Sequence, residues 1–301
     1  MTRQALITGG TGFIGGALAR CLLQSGWSIA LVVRENSNFS IIDDIRLVGT
    51  VHVYDGTTES LSSIMRKVRP DAVFHLASLV QVQHTPADIV PLIMSNILFG
   101  TQLLDAMVVT GVRNIVVAST LWQYAGDDEQ QAVNLYAATK KSFESIVDFY
   151  HSAFGVSATS LVLADTYGVG DTRPKLINFL IGALDDSAIL DMSPGDQVID
   201  ISHVKDVARS FELAAEVLIS DSEARRETLA VSGTRLSVRQ LVAMVEDVSQ
   251  RKINVKFGGR PYRVREIMRP AVLPELMPTW TKIRLEEGVQ ELLEACGKTA
   301  L

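Results

Sequence analysis

The chain has 301 residues, 47% hydrophobic and 21% charged, with a formal net charge of −6 at pH 7, which describes a globular protein with a large core and excludes a disordered one. The mild acidity, with no long basic block, argues against nucleic acid or an anionic membrane surface as the main partner. Two cysteines, Cys21 and Cys296, no signal-peptide pattern and no uninterrupted apolar run of about 18 residues point to a reducing cytoplasm, with no disulfide framework and no membrane span.

From the N-terminus, short apolar runs alternate with helical patterns. QALIT (4–8), SIALVV (28–33), VHVY (51–54), AVFHL (72–76), NIVVA (114–118) and SATSLVL (157–163) read as buried strands. Residues 12–24, 60–68, 87–110 and 135–154 read as helices between them. This alternation predicts parallel strands with right-handed crossovers, an α/β doubly wound sheet of Rossmann type over residues 1–163. After residue 164 come a helix at 175–186, the loop LDMSPGDQ, a strand near 198–202 and a helix at 204–219. Ser237 is a good N-cap for VRQLVAMVEDV, residues 260–280 are irregular and spaced by prolines, and LEEGVQELLEA forms a last helix. Residues 164–301 are therefore expected to form a smaller C-terminal α/β substrate lobe, with about 198–220 packing back on the sheet.

The first strand runs into TGGTGFIGG, which sets Gly9, Gly12 and Gly15 in a GxxGxxG spacing between a strand and a helix. Glycines there let the backbone turn tightly and approach a pyrophosphate, while the helix N-terminus offers free N–H groups and a positive dipole end. The second strand, SIALVVREN, has Val33 where an acid would grip the ribose 2′-hydroxyl of NAD, and Arg34 follows. A cation without a competing carboxylate suits a 2′-phosphate, so NADP(H) is the expected cofactor. Asp55, after the third strand, is either an acceptor for the adenine amino group or a turn residue.

NLYAATKKSFE (134–144) carries Tyr136 and Lys140 four apart on one helix, hence on one face. A phenol with an ordinary pKa of about 10 gives up its proton more readily beside an ammonium, which suits acid–base work. The histidines, His52, His75, His84, His151 and His203, are scattered without metal-ligand spacing, so no metal site is expected. The acid doublets Asp43-Asp44, Asp127-Asp128 and Asp185-Asp186 read as solvated loops.

Together these stretches resemble the extended short-chain dehydrogenase/reductase family, of the NAD-dependent epimerase/dehydratase type, which acts largely on nucleotide-sugars. TGGTGFIG matches its cofactor fingerprint, HLAS (75–78) its fourth-strand ending, NILFGTQLL (96–104) its Asn-containing helix and YAATK its Tyr/Lys pair. STLWQYA, DTYG (165–168), VIDISHVKDVA, VSGTRLSVRQL and LEEGV carry the likeness through nearly the whole chain. The resemblance implies catalytic roles for Thr120, Tyr136 and Lys140, and puts Asn96 on the helix that steers a proton-relay water towards Lys140. It also implies cofactor contacts from Phe13, Ile14, Leu76 and Ala77 beside the glycines, and a homodimer through helices 87–110 and 135–154.

In the family's 4,6-dehydratases the hydroxyl residue is followed by an Asp-Glu pair that eliminates water, whereas Leu121 and Trp122 stand here. What the resemblance leaves is hydride transfer at a carbonyl, by a net reductase drawing on NADPH or by an epimerase recycling bound NAD. NLYAATKKSFE, DTYGVGDTRPKL and LDMSPGDQVIDISHVKDV look most like the CDP-abequose synthase-like nucleotide-sugar 4-reductases, which implies reduction of a nucleotide-activated 4-keto-deoxyhexose. A non-catalytic NADP-sensing regulator on the same fold is the alternative from another class. Candidate substrate contacts are Ser78, Trp122 (a sugar-facing wall or a packing residue), Asp165 where many relatives have Asn, and Arg173 and Arg260 for the diphosphate. Ile199 replaces an Arg that many relatives use for that group.

Overall fold

The structure, a computed structural model, describes residues 2–125, 131–184, 186–276 and 282–298. In chain order it contains β1 (Gln4–Thr8), α1 (Phe13–Gln24), β2 (Ser28–Val33), α2 (Asp43–Arg46), β3 (Thr50–Val53), α3 (Thr58–Val68) and β4 (Ala72–His75). Then come α4 (Ile89–Ile93) and α5 (Phe99–Thr110), joined by a π-turn at Met94–Leu98, β5 (Asn114–Thr120), α6 (Leu135–Phe154) and β6 (Ser157–Leu163). The second half holds β7 (Asp165–Tyr167), α7 (Leu176–Ala183), β8 (Leu190–Met192), β9 (Val198–His203), α8 (Val204–Ser220) and β10 (Arg226–Val231). It closes with β11 (Thr234–Ser237), α9 (Val238–Ser249), β12 (Val255–Phe257) and α10 (Leu285–Ala295).

Alternate side chains of the first strands go to opposite cores, as the period of a strand requires. Ala5, Ile7, Ile29, Leu31, Phe74 and Val116 join the core under α1 and α8, while Leu6, Ala30, Val32, Val73, Ile115 and Val117 join the core under α3, α5 and α6. A register slip of one residue would exchange the two sets and strand α1's partners against the wrong layer. Each fully buried Leu- or Phe-sized side chain adds roughly 1.5–3 kcal/mol, so register is strongly fixed.

The resulting sheet has seven parallel strands in the order β10-β6-β5-β4-β1-β2-β3. The order reverses between β1 and β4, and a doubly wound sheet opens its ligand crevice at the carboxyl ends of the strands flanking such a reversal. The edge strand β10, unforeseen in the sequence, pairs with β6 along its whole length, and α8 packs on α1, β5 and β6. A second sheet, β11-β9-β7, and a pair, β12-β8, pack with α7, α9 and α10 around a third core.

Asp43 and Asp44, expected in a loop, instead open α2, where the Asp44 carboxylate accepts two bonds of 2.8 Å from Arg20. Asp127, Asp128 and Asp185 lie outside the described residues. The helical stretch Pro86–Thr110, 25 residues long, contains an 18-residue window with a mean hydropathy of 1.6, enough to cross a membrane by length and composition. In the fold it packs against α3 and α6.

Candidate active site

The glycine turn is shaped by contacts that a side chain would destroy. Gly9 has φ +72°, and a Cβ on it would come within 2.6 Å of the Ala77 nitrogen; one on Gly15 would sit 2.1 Å from the Gly9 oxygen. Gly12 caps α1 without a side-chain bond, and no acid occupies the first turn, so the N–H groups there stay open to an anion. Gly9, Gly12, Phe13, Ile14 and Gly15 line one end of a cleft of about 440 Å³. Small and positive, this end fits the pyrophosphate of a dinucleotide.

The reacting end is built on β5 and α6. Thr120 ends β5, opposite Leu163 of β6, and its Oγ accepts the Trp122 N–H at 3.3 Å, turning the chain into the short 3₁₀ segment Leu121–Gln123. Asn134 caps α6 by accepting from the Ala137 N–H at 2.9 Å, and donates to the Val82 carbonyl at 3.1 Å. Those two bonds set the first turn of α6, with Tyr136 in it, against the loop after β4. Tyr136, 8% exposed, turns its phenol towards the Thr120 and Ser78 hydroxyls, which line the same cleft. Trp122 meets it edge-on at 6.3 Å.

Burial raises the Tyr136 phenol above its ordinary value, while the neighbouring Thr120 and Ser78 hydroxyls and the charge of Arg173 pull it down. Lys140, one turn on, is buried under the cleft floor; burial pushes its ammonium down to about 8, opposed by the charge of Glu144. The pull that registers on the phenol thus comes from Arg173 rather than from Lys140. Arg173 forks onto Asp171 with two bonds of 2.7 Å and lies 5.1 Å above the Phe13 ring, reaching from the loop after β7 to the glycine turn.

Thr120, Tyr136, Lys140, Ser78, Trp122, Asp165, Arg173, Leu76 and the glycine-turn residues all line this one cleft. Five expected site residues do not. Asn96 is buried with its amide fully engaged: Oδ1 accepts from the Leu79 N–H (2.7 Å) and the Ser78 hydroxyl (3.1 Å), and Nδ2 donates to the Leu79 carbonyl (2.9 Å) and Thr139 Oγ (3.0 Å). Its side chain pins the loop after β4 to α6. Asp55 Oδ1 accepts from the Thr57 N–H and hydroxyl and so shapes the turn after β3. Ala77 backs Gly9, and Arg34 lies exposed at the end of β2.

Arg260 is exposed and bound to the Met192 carbonyl through its own N–H, away from the cleft. Arg263 and Arg265 line the cleft in its stead, Arg265 reaching Gln131 Oε1 at 2.8 Å. Lys175 lines it too and holds Asp165 at 3.0 Å, so that carboxylate faces the cleft neutralised. Only the loop after β7 gave a signal for Lys175, through its nearness to Arg173; the arginines of residues 260–269 have no spacing that tells one from another.

His75 Nδ1 bonds to Thr8 Oγ at 2.8 Å, a strand-end structural contact, and burial holds the ring neutral. Burial and Glu212 push the Cys21 thiol up to about 12, which disables it as a nucleophile. Among the described residues no three His, Cys, Asp or Glu side chains gather to hold a metal.

The model of the NAD dependent epimerase/dehydratase family matches residues 5–225. The chain belongs to that family. It is 25% identical over 270 residues to a CDP-abequose synthase of Yersinia pseudotuberculosis, covering 89% of this chain and 91% of that one. It is 27% identical over 283 residues to a UDP-glucose 4-epimerase of Corynebacterium glutamicum, covering 85% of this chain and 84% of that one. Its fold matches a UDP-glucose 4-epimerase of Brucella ovis in complex with NAD at a TM-score of 0.82 and 22% identity, over 96% of this chain and 97% of that one. The glycine turn that lines one end of the cleft lies within the matched residues.

Proposed function

We propose that the chain is an NADPH-dependent reductase of the C4 ketone of a nucleotide-activated 4-keto-deoxyhexose. The observation that carries this reading is the wall beyond Thr120. Leu121 and Trp122 line the cleft there, where the family's 4,6-dehydratases place an Asp-Glu pair, so a hydride and a proton can be moved but water cannot be expelled. Val80, Val133, Ile199 and Ile267 extend that apolar wall, which suits a sugar stripped of hydroxyls.

Bound NADPH supplies the hydride. Tyr136, kept protonated by its burial, donates the phenolic proton to the ketone oxygen as that oxygen becomes an alkoxide. Thr120 and Ser78 would orient the same oxygen, and Lys140 would hold the nicotinamide ribose. Arg34 supports NADPH over NADH, because no acid precedes it at the end of β2. Residues 1–163 would hold the cofactor and 164–301 receive the sugar nucleotide, with Arg173, Lys175, Arg263 and Arg265 around its diphosphate. Exposed Ile89, Val90, Ile93 and Met94 support a homodimer through the 89–98 face, and the free Cys21 and Cys296 suit a cytoplasmic setting.

The relative named CDP-abequose synthase supports the reductase, and those named UDP-glucose 4-epimerase support a second reading, an epimerase with bound NAD. Incubation with NADPH and a CDP-4-keto-3,6-dideoxyhexose separates the two. The reductase consumes NADPH mole for mole with the ketone. An epimerase releases NAD on denaturation, inverts a sugar carbon without added cofactor and leaves NADPH untouched.

A further inference from the structure

Tyr136, Lys140 and Glu144 recur every fourth residue of α6 and so share one face of that helix. The first two line the cleft, and the third stands one turn further from it. Lys140 is 2% exposed, and a cation taken out of water reverts to the neutral amine unless an anion opposes its burial. Glu144 is also largely buried, its side chain 13% exposed. Glu144 Oε2 accepts from the Ser160 hydroxyl of β6 at 2.6 Å and from Arg226 Nη2 of β10 at 2.7 Å. Oε1 is buried with no hydrogen-bond partner among the described residues.

A buried carboxylate fixed by two strands, with one oxygen unengaged, therefore lies a helical turn from a buried ammonium. The groups packed around them leave Glu144 as the anion that matters. His75 of β4, which feels Lys140, is neutral; the Phe143 ring lies 5.9 Å from Lys140 Nζ; Tyr124, after β5, senses both Glu144 and Arg226. Arg226 is shared with Asp148, whose Oδ1 accepts from Nε at 2.7 Å, so its charge is only partly spent on Glu144.

We propose that Glu144, clamped by Arg226 and Ser160, is a positioning residue that keeps Lys140 charged beneath the cleft. It acts through Lys140, and it rests on the reading of Lys140 as part of the reacting group. The direction of its effect on Lys140, upward against burial, agrees with this role. It also assigns a task to β10: the strand that completes the sheet delivers the clamp.

Full-length protein with 15N-labelled lysine side chains tests the proposal, the Lys140 signal being assigned by its loss in Lys140→Met. The expected midpoint lies near pH 8, falls by about one unit in Glu144→Gln and stays near its original position in Glu144→Asp. Arg226→Gln, which frees the carboxylate from its competing cation, moves the midpoint upward and decides the matter if Glu144→Gln does not fold. An unmoved midpoint in Glu144→Gln, or in Arg226→Gln, overturns the proposal. The reading beneath it fails separately, if Lys140→Met turns over a CDP-4-keto-3,6-dideoxyhexose at the normal rate.

Discussion

The Trp122 ring stands edge-on to the Tyr136 ring, with centroids 6.3 Å apart and planes at 80°. In the proposed reaction one residue walls the site and the other works in it, so their removal should have different signatures. Tyr136→Phe keeps the packing and deletes the proton; turnover is expected to fall by about 10²–10⁴-fold while NADPH affinity, read by cofactor fluorescence, stays the same. Trp122→Ala keeps the proton and opens the wall, and should raise KM for the sugar nucleotide more than it lowers kcat. Near-normal turnover in Tyr136→Phe would remove the phenol from the mechanism.

Arg34 sits exposed at the end of β2, its N–H bonded to Ser37 Oγ at 3.0 Å. Arg34→Ala should weaken NADPH about tenfold, roughly 1.4 kcal/mol, and leave NADH unchanged, so the preference collapses. Thermal shifts with each dinucleotide measure it, and equal losses for both would show that Arg34 does not read the 2′-phosphate.

Asn96 spends all four of its bonds inside the protein, and its replacement by Ala leaves the Leu79 N–H and carbonyl without their side-chain partner. A loss of about 2–3 kcal/mol in urea denaturation is expected, with the m-value unchanged. Because those bonds hold the loop that carries Ser78, turnover should fall with stability and recover partly in Asn96→Asp.

Burial pushes the His75 ring down to about 3, and Lys140 adds to the effect. The unfolded chain binds that proton near pH 6.5, so the neutral ring's stability is fully present above that pH and drains away as pH falls towards about 3. Between pH 7 and pH 4, His75→Gln should lose roughly 3 kcal/mol less than the unaltered protein in denaturation experiments.

Lys140 works in the opposite pH range. Its ammonium sits at about 8 in the fold against 10.5 when unfolded, so the folded state is penalised below about pH 8 and the penalty fades as pH rises to 10.5. Lys140→Met should therefore gain up to roughly 3 kcal/mol at pH 7, a gain that closes towards pH 10.5, while turnover is lost. An inactive, more stable variant would mark Lys140 as kept for chemistry.

The sequence carried the parts whose signal is local. β1, β2, β6 and α6 begin and end where their apolar runs do, and Ser237 caps α9 with a reciprocal bond from Gln240, as its position foretold. β10 escaped because it starts with Arg226 and Glu227, and Arg226 serves Glu144 and Asp148 rather than a core. β7, β8 and β12 span three residues each, too few for alternation to register. The π-turn at Met94–Leu98 uses ordinary helix residues. At the site, the face shared by Tyr136 and Lys140 followed from helical spacing, whereas the choice of Arg263 and Arg265 over Arg260 is made by a loop that only tertiary contacts place.

The chain reaches β10 only after visiting the second sheet through β7 and β9 and returning along α8. A fragment ending at residue 163 would leave β6 as a bare edge, its N–H and C=O groups ready to pair with another molecule, and would strip Phe211 and Leu218 from the core they help fill. Anyone wishing to graft the second sheet and its helices onto a different seven-stranded sheet must cut near residues 163, 203 and 231 and rejoin three seams. Swapping specificity in this protein is a matter of surgery on side chains, not of exchanging cassettes.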